Sequence, residues 1–458
     1  MTSGACRVWN VVISVPRRGE VLSPLDWQLL TGPVPVVLRL GAAAAGTWLL
    51  LRLMLAVGSV WAKALRCAIT LVVAVTVTAT SVYLARDVWL LFPDRLPFVV
   101  HLWVGTAFFA AALAVSVVTS CRRWRPGGTA VIAALLICVA CANQVNGVYA
   151  AYPTSRDALG LALKDDIVLP PKQAHSLPRP VTGTLESHWR LPPDLMMSGK
   201  LTSAIIPGRI SGFSARAAKI YLPPAYFAQL PPRLPVLVLV SGQPGMPQDW
   251  LSAGKLARTM DRFVKAHHGL APVVVVPDAT GSQFADPLCL NSARGNVDAY
   301  LAFDVPAWIR ANLSVDTRPD AWAIAGASYG GTCALQLATN HADVYPTFID
   351  IAGSAEPSLG DRRRTVAEAF AGDEAAFRRV NPLDLLRMQR YPFSAGAIVI
   401  GAADGATKAD AKAVFDATKA AGMKSHYTEL PGSHDWRVFS VALEIELPWL
   451  ARHLRLID

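Results

Sequence analysis

The sequence predicts a block of transmembrane helices followed by an α/β domain, with a mostly parallel sheet and helices on both of its faces. Three observations lead to this prediction. Three long stretches within the first 155 residues contain no charged side chain, namely 67–85, 96–121 and 126–155. Beyond residue 200, short β-branched runs alternate with stretches of helical periodicity. A serine flanked by glycines falls between one such run and the helix after it.

The charge distribution favours a membrane over a nucleic acid as the partner of the basic residues. The 458 residues carry a net charge of +10, and only 17% of them are charged while 53% are hydrophobic. Residues 1–150 hold twelve Lys and Arg against four Asp and Glu, whereas 151–458 hold 31 against 29. The basic excess therefore lies among apolar runs, where it reflects membrane topology. The composition excludes a disordered or fibrous chain, and seven cysteines are too few for a disulfide scaffold.

About four spans are expected, because a bilayer requires roughly 20 apolar residues per helix. The predicted segments are an N-terminal segment 1–33 and a transmembrane block 34–150, with helices at 34–57, 67–85, 97–121 and 129–150. Arg39 and Arg52 lie near the ends of the first helix, so an interfacial helix, and hence three spans, is the alternative. The first 30 residues contain no continuous apolar run, and no cleavable signal peptide is expected.

The loops predict the orientation in the plasma membrane. Arg122, Arg123 and Arg125 occur without an acidic residue between the last two spans. The positive-inside rule then places this loop in the cytoplasm and everything after residue 150 outside the cell, whether there are three spans or four. Seven prolines predict that 151–200 is an extended, non-helical linker. The catalytic domain is predicted to occupy 201–458.

Strand–helix alternation fills this last region. Strands are predicted at 201–206, 217–222, 236–240, 273–276, 321–325, 347–351, 397–400 and 425–429. Helices are predicted at 251–267, 299–312, 332–340, 409–421 and 438–454. Apart from the two initial strands this order is typical of a parallel sheet, because parallel neighbours need a crossover connection.

The motif Gly326-Ala327-Ser328-Tyr329-Gly330-Gly331 lies between a predicted strand and a predicted helix. A sharp turn there would hold the Ser328 hydroxyl at the carboxyl end of the sheet, which predicts a nucleophile. The Tyr329 amide would lie at a helix N-terminus, where positive partial charge stabilises an oxyanion. A purely structural glycine turn is the alternative.

A serine hydroxyl needs a base to take its proton. His434 is the predicted base and Asp404 the predicted acid, and both follow predicted strands at which they can approach Ser328. The alternative is that Asp404 is a plain loop residue and that Asp435 or Glu356 is the acid. Asp404 is preferred over Asp435 because Asp435 adjoins His434 in sequence and should point away. A helix-capping role is the alternative for His434.

The loop after strand 236–240 is expected to supply the second oxyanion donor. Its Gln243 has a backbone N–H and Pro244 has none, so Gln243 is predicted, with Gly242 as the alternative. Three aromatic residues near strand ends are predicted to bind substrate, with core packing as the alternative: Trp250, Phe284 and Trp436.

At these residues the chain resembles a known family. The segments GASYGG at 326–331, YLPPAY at 221–226, GSHDW at 432–436 and 291–309 are similar to the putative-esterase family of α/β hydrolases. That family includes esterase D-type enzymes and secreted mycolyltransferases, and some actinobacterial members carry a membrane block. The resemblance implies an α/β-hydrolase fold and a Ser, acid and His set that maps onto Ser328, Asp404 and His434. Mycolyltransferases have Glu as the acid, so Asp404 favours ester cleavage over mycolyl transfer.

These patterns predict a membrane-anchored, extracytoplasmic serine ester hydrolase that acts on a lipid or cell-envelope ester. The resemblance suggests aminoacyl-phosphatidylglycerol as the substrate. Two alternatives are an acyltransferase on envelope sugars or lipids and a non-catalytic scaffold with a vestigial hydrolase domain. No zinc-type Cys/His spacing and no phosphate-binding GxxxxGK[ST] loop occurs, so no metal, organic cofactor or nucleic acid is expected.

Cys289 and Cys333 are the two cysteines of the predicted extracytoplasmic domain. An oxidising environment permits a disulfide between them, and two buried free thiols are the alternative.

Overall fold

The computed structural model describes residues 23–55, 59–91, 96–120, 124–161, 165–173, 176–177 and 182–458. Residues 1–22 of the predicted N-terminal segment lie outside the described residues, as do Arg122 and Arg123 of the predicted cytoplasmic loop.

Four long helices form what we call the helical block: α1 (Pro33–Leu55), α2 (Val60–Tyr83), α3 (Phe98–Ser120) and α4 (Trp124–Tyr149). Each is long and apolar enough to cross a membrane. Helix α3 packs against α2 and α4, and α1 packs against α4. Large apolar side chains such as Trp61, Leu71 and Ile132 are exposed on the outside of the block. A soluble surface would rarely present so many apolar groups together, so this surface suits a lipid environment.

The second helix begins at Val60, before the predicted start at residue 67, because Lys63 and Arg66 are accommodated inside it. Lys63 Nζ donates to the Met54 carbonyl oxygen near the C-terminus of α1 at 2.5 Å. Arg66 Nη1 donates to Ser120 Oγ at the end of α3 at 3.1 Å. Both cations thus find partners at helix ends, where long side chains reach out of the apolar layer.

The segment predicted as a non-helical linker contains two single-turn helices, α5 (Ser155–Ala158) and α6 (Leu185–His188). Thr154 and Thr184 cap them, since their hydroxyls accept from backbone N–H groups of the first turn. Trp189 is buried and its Nε1 donates to the His268 carbonyl oxygen at 2.9 Å. The prolines therefore shape a chain that packs against the domain that follows it.

Residues 200–458, here called the α/β region, contain an eight-stranded sheet. Its strands are β1 (Lys200–Ala204), β2 (Ala218–Leu222), β3 (Val236–Val240), β4 (Val273–Val276), β5 (Trp322–Ala327), β6 (Thr347–Ile351), β7 (Ala395–Gly401) and β8 (Lys424–Leu430). The spatial order is β1-β2-β4-β3-β5-β6-β7-β8. Strand β2 runs antiparallel to both β1 and β4, and the remaining neighbours are parallel.

Helices of the α/β region are α7 (Asp249–Ser252), α8 (Leu256–Ala266), α9 (Val297–Ala299), α10 (Val305–Asn312), α11 (Tyr329–Asn340), α12 (Arg362–Phe370), α13 (Glu374–Arg378), α14 (Pro382–Met388), α15 (Lys408–Ala420) and α16 (Trp436–His453). The helix predicted at 251–267 is divided, because the chain bends at Gly254 and Lys255 has a positive φ of 52°. A two-residue hairpin, Asn291–Ser292 with Gly295–Asn296, precedes α9.

The core lies between the sheet and its helices. All residues of β3, β4, β5, β6 and β7 are buried, which requires cover on both faces of the sheet. The predicted fold class is therefore confirmed: a mostly parallel α/β sheet of the α/β-hydrolase type, preceded by long apolar helices. Loops at the carboxyl ends of the parallel strands meet along one edge, and this edge carries the candidate site.

Candidate active site

Ser328 lies at a sharp turn between β5 and α11. Its φ of 55° and ψ of −119° are strained for a residue with a side chain, and the surrounding backbone holds it there. The Ser328 N–H donates to the Ile351 carbonyl oxygen of β6 at 2.8 Å, and its own carbonyl oxygen accepts from Gly331 N–H at 2.8 Å. The turn therefore presents the hydroxyl at the edge of the sheet, as the motif predicts.

Two glycines make the turn possible. A Cβ at Gly326 would lie 2.2 Å from the Gly330 carbonyl oxygen, and a Cβ at Gly330 would lie 2.3 Å from the Val240 carbonyl oxygen. Any side chain at either position would push strand β5, helix α11 and strand β3 apart. This crowding is the physical reason for glycine on both sides of Ser328.

Three predicted side chains form a continuous hydrogen-bonded series. His434 Nε2 lies 2.8 Å from Ser328 Oγ, and His434 Nδ1 lies 2.7 Å from Asp404 Oδ2. The imidazole packs edge-on against Phe439, with ring centroids 5.1 Å apart. The ring is thus held in place, with one nitrogen toward the hydroxyl and the other toward the carboxylate. This geometry allows a proton to pass from the serine to the imidazole while the carboxylate orients the base.

Asp404 is held by a loop at the end of β7. Its Oδ2 accepts from Thr407 Oγ1 at 2.8 Å, and its Oδ1 accepts from the Ala406 and Thr407 N–H groups at 3.1 and 3.2 Å. Burial alone would raise the pKa of the carboxyl, but hydrogen bonds from His434 and Thr407 and the His434 charge outweigh it and lower the pKa. Asp404 is therefore ionised at neutral pH. Thr407 was not predicted to be a site residue. In the sequence, the one feature that points to this role is its position in the loop that carries Asp404.

The alternative acids have other roles. Asp435 Oδ1 accepts from the Arg437 and Val438 N–H groups at 2.8 and 3.3 Å, so Asp435 caps helix α16. Glu356 Oε1 accepts from Arg362 Nη1 and from Asn381 Nδ2, both at 2.7 Å.

Tyr329 and Gln243, the predicted oxyanion donors, both line the cavity beside Ser328. Tyr329 is the first residue of α11, and its phenol donates to the Ala279 carbonyl oxygen at 3.0 Å while accepting from the Cys289 N–H at 3.0 Å. Burial raises the pKa of the Tyr329 phenol well above its ordinary value, so the phenol stays neutral. Gln243 Nε2 donates to the Leu91 and Phe284 carbonyl oxygens, both at 3.1 Å.

The three predicted substrate-binding aromatics are not brought to this cavity. Trp250 is fully buried, and its Nε1 donates to the Val240 carbonyl oxygen at 2.9 Å. Trp436 is buried against it, with ring centroids 5.2 Å apart. Phe284 is exposed and contributes a backbone oxygen to Gln243. Trp250 and Trp436 are therefore core residues, because proximity to a strand end does not specify which way a side chain points.

Cys289 and Cys333 are joined in a disulfide, with their Cα atoms 5.5 Å apart. The bond links the loop before α9 to helix α11, directly after the serine turn. Since the Cys289 N–H also donates to Tyr329 Oη, the disulfide region supports the wall of the site.

The cavity beside Ser328 is small and mostly polar. Besides Ser328, Tyr329 and Gln243, its lining residues are Asp286, Leu288, Thr332, Gln336, Ser354, Glu356, Pro357 and Ser358. Within the described part of the chain, this lining set contains two carboxylates and no Lys or Arg. From the sequence, Glu356 was expected here only as an alternative acid. Asp286, Ser354, Pro357 and Ser358 were not predicted to line the site, because they lie in no motif.

Behind this wall, helices α12 to α14 form a cap in which Arg362 contacts three carboxylates. Its guanidinium lies 2.7 Å from Glu356 and 2.8 Å from both Glu374 and Asp384. Among the described residues, no group of three His, Cys, Asp or Glu side chains has the arrangement of a metal site.

The sheet, the serine turn and the Ser–His–Asp geometry define this protein as an α/β hydrolase by fold. Residues 214–450 match the family described as putative esterase. A protein of Corynebacterium glutamicum, described as uncharacterized, is 34% identical over 399 residues, which cover 83% of this chain and 88% of that protein. The chain therefore belongs to the putative-esterase family.

Two solved structures are also similar. A ferulic acid esterase is 18% identical with a TM-score of 0.49, over 56% of this chain and 98% of that chain. An S-formylglutathione hydrolase from Agrobacterium tumefaciens is 19% identical with a TM-score of 0.46, over 57% of this chain and 98% of that chain.

Proposed function

We propose that this protein is a membrane-anchored serine ester hydrolase whose α/β region acts outside the plasma membrane on a lipid or cell-envelope ester. The observation that carries the proposal is the series Ser328–His434–Asp404, with contacts of 2.8 and 2.7 Å. Side chains from three separate loops meet in the order that general-base activation of a serine requires.

The reaction would proceed through an acyl-enzyme. Ser328 Oγ attacks the ester carbonyl carbon while His434 Nε2 takes the hydroxyl proton, and Asp404 stabilises the imidazolium. The backbone N–H groups of Tyr329 and Gln243 hold the oxyanion, a contribution worth about 10²–10³ in kcat per donor. His434 then protonates the departing alcohol, leaving an ester on Ser328. Water attacks this ester with His434 again as the base, releasing the acid and free Ser328.

Contacts at the two ends of the helical block support four crossings of the membrane. The Leu29 N–H donates to the Pro153 carbonyl oxygen at 2.8 Å, and the Ser155 N–H donates to the Trp27 carbonyl oxygen at 3.0 Å. These segments precede α1 and follow α4, so an even number of crossings must separate them. The alternative of three crossings would put them on opposite sides of the bilayer.

An extracytoplasmic location for the α/β region rests on Arg122, Arg123 and Arg125 at the N-terminal end of α4 and agrees with the disulfide. Positive-inside asymmetry favours a cytoplasmic location for this end of α4. The Cys289–Cys333 bond suits an oxidising compartment. A membrane-impermeant maleimide tests this topology in a Cys6→Ser, Cys121→Ser background. It should label Lys419→Cys in intact cells. With Cys121 restored and Lys419 unchanged, it should label Cys121 after lysis only; the reverse pattern contradicts the orientation.

The residues that line the cavity support the proposal that the substrate carries a small, cationic acyl group, as aminoacyl-phosphatidylglycerol does. Glu356 and Asp286 place two carboxylates beside Ser328, while Arg362 lies behind Glu356 and outside the lining set. A wall of this kind attracts an ammonium group and offers little apolar surface to a long acyl chain.

Vesicles containing alanyl-phosphatidylglycerol test the activity directly. The full-length protein should release free alanine, and Ser328→Ala should not. Fatty acid release without alanine would contradict the aminoacyl substrate. A parallel reaction with added trehalose tests the acyltransferase alternative, which is favoured if transfer product exceeds free acid.

A further inference from the structure

The connection between α2 and α3 reaches across to the α/β region. Residues 84–91, here called the strap, begin with a π-helical turn (Leu84–Val88) and end at Leu91. The strap and the segment after α4 are separated by two helices of the helical block, so both lie on the same side of a membrane in either orientation. The strap can therefore dock on the α/β region whichever way the protein is inserted.

An ion pair attaches the first half of the strap to the cap. Asp87 Oδ1 lies 3.6 Å from Arg364 Nη1 of helix α12. Arg364 Nη2 also donates to the Asp87 carbonyl oxygen. This double contact fixes both the side chain and the backbone of Asp87.

Leu90 anchors the second half. It is 7% exposed and belongs to an apolar cluster with Leu288, Leu290, Leu359 and Ala369, all from the α/β region. Its φ of 54° lies in the left-handed region, so packing holds the backbone in an unfavourable conformation. Leu288 lines the cavity beside Ser328. The strap thus packs against a residue that lines the cavity of the candidate site.

The end of the strap contacts the loop that carries the proposed oxyanion donor. Gln243 Nε2 donates to the Leu91 carbonyl oxygen at 3.1 Å, across a sequence separation of 152 residues. Its second partner is the Phe284 carbonyl oxygen. One side-chain amide is therefore fixed between the strap and the 284 loop, and this fixes the backbone of the same residue next to Ser328.

We propose that the strap is a positioning element: Leu90 and the Leu91 carbonyl oxygen hold Gln243 in the orientation at which its backbone N–H binds the oxyanion. The effect that this proposal predicts on kcat rests on the proposed function. The helical block then contributes to the chemical step, beyond anchoring. Because a displacement of about 1 Å in a catalytic geometry can cost 100-fold in rate, a displaced strap should lower kcat and change KM little.

The test compares Leu90→Ala with Val88→Ala in the full-length protein. Val88 lies in the same strap but is 49% exposed, so it is the matched control. Leu90→Ala should lower kcat about 10-fold or more with KM nearly unchanged, Val88→Ala should retain wild-type kcat, and Leu90→Met should recover most of the loss. Unchanged kcat in Leu90→Ala, or a loss confined to KM, would overturn the proposal.

Hydrogen–deuterium exchange tests the strap proposal by a measurement that does not depend on enzyme activity. The amides of 241–246 should exchange faster in Leu90→Ala than in wild type or Val88→Ala, while β3 stays protected. Equal exchange in all three proteins would overturn the strap proposal even if the enzyme is active. A wild-type protein with the expected exchange but no esterase activity would instead contradict the proposed function.

Discussion

The Nε2 atom of His434 lies 2.8 Å from the Oγ atom of Ser328, although the two residues are 106 positions apart in the chain. This contact forms because each residue follows a parallel strand, and the carboxyl ends of parallel strands meet at one edge of the sheet. In the proposed mechanism, this contact allows proton transfer only if the imidazole is correctly oriented. Asp404 provides that orientation, because it holds the other imidazole nitrogen.

Replacing Asp404 tests whether its charge supports the base. Asp404→Asn should lower kcat about 10³- to 10⁴-fold, because an amide no longer selects the imidazole tautomer or stabilises the imidazolium. The matched control is Asp435→Asn, which removes the neighbouring charge but keeps a good helix cap. Steady-state ester hydrolysis should show near wild-type kcat for the control. Equal losses in both variants would contradict the assignment of the acid.

Replacing Glu356 tests the charge of the cavity wall. A hydrogen bond to a charged group contributes about 1.5–3 kcal/mol, so Glu356→Gln should lower kcat/KM for an aminoacyl ester about 10- to 100-fold. A neutral acyl ester of the same alcohol should be affected much less. Glu374→Gln is the control, since Glu374 also contacts Arg362 but does not line the cavity. Parallel losses on both esters would show that Glu356 has only a structural role.

Asp350 should make stability depend on pH. Its Oδ1 accepts from the Gly353 N–H at 2.9 Å, and its Oδ2 is buried without a partner among the described residues. Burial raises the pKa of this carboxyl to about 7. In the unfolded chain the group ionises near pH 4, so its contribution to stability falls as the pH rises from about 4 to 7 and then stays constant.

Asp350→Asn removes this titration. Its melting temperature relative to wild type should therefore rise between pH 5 and pH 8, with up to roughly 3 kcal/mol of unfolding free energy involved. Thermal unfolding of both proteins at the two pH values measures the change. A difference between the two proteins that does not vary with pH would contradict the role given to Asp350.

The disulfide should stabilise the α/β region. It closes a loop with a sequence separation of 44 residues, for which chain entropy predicts a contribution of up to about 4 kcal/mol. Cys289→Ser with Cys333→Ser should lower the melting temperature, and a reductant should lower that of the wild type to the same value. A reductant effect of equal size on the double variant would show that another process is responsible.

The sequence was sufficient for the fold class and for the proximity of Ser328, Asp404 and His434, because each follows a parallel strand of the sheet. The strands before Ser328 and Asp404 are buried apolar runs, whereas the strand before His434 is half-exposed and mostly polar. It was insufficient for Trp250, since a position near a strand end leaves the direction of the side chain open. The predicted start of α2 was also too late, because the charges of Lys63 and Arg66 were taken to exclude both residues from a membrane-spanning helix. Their hydrogen-bond partners at the ends of α1 and α3, which make the charges tolerable, are visible only in the structure. The Gln243–Leu91 contact could not be predicted, because it depends on how two distant parts of the chain dock.

The central claim is that Ser328 is an activated nucleophile, and a fluorophosphonate probe tests it most directly. Membranes that carry the wild-type protein should be labelled at Ser328. Ser328→Ala and His434→Ala, expressed at the same level and equally resistant to proteolysis, should not be labelled. Absence of labelling in folded wild-type protein, or undiminished labelling of Ser328→Ala, would contradict the claim.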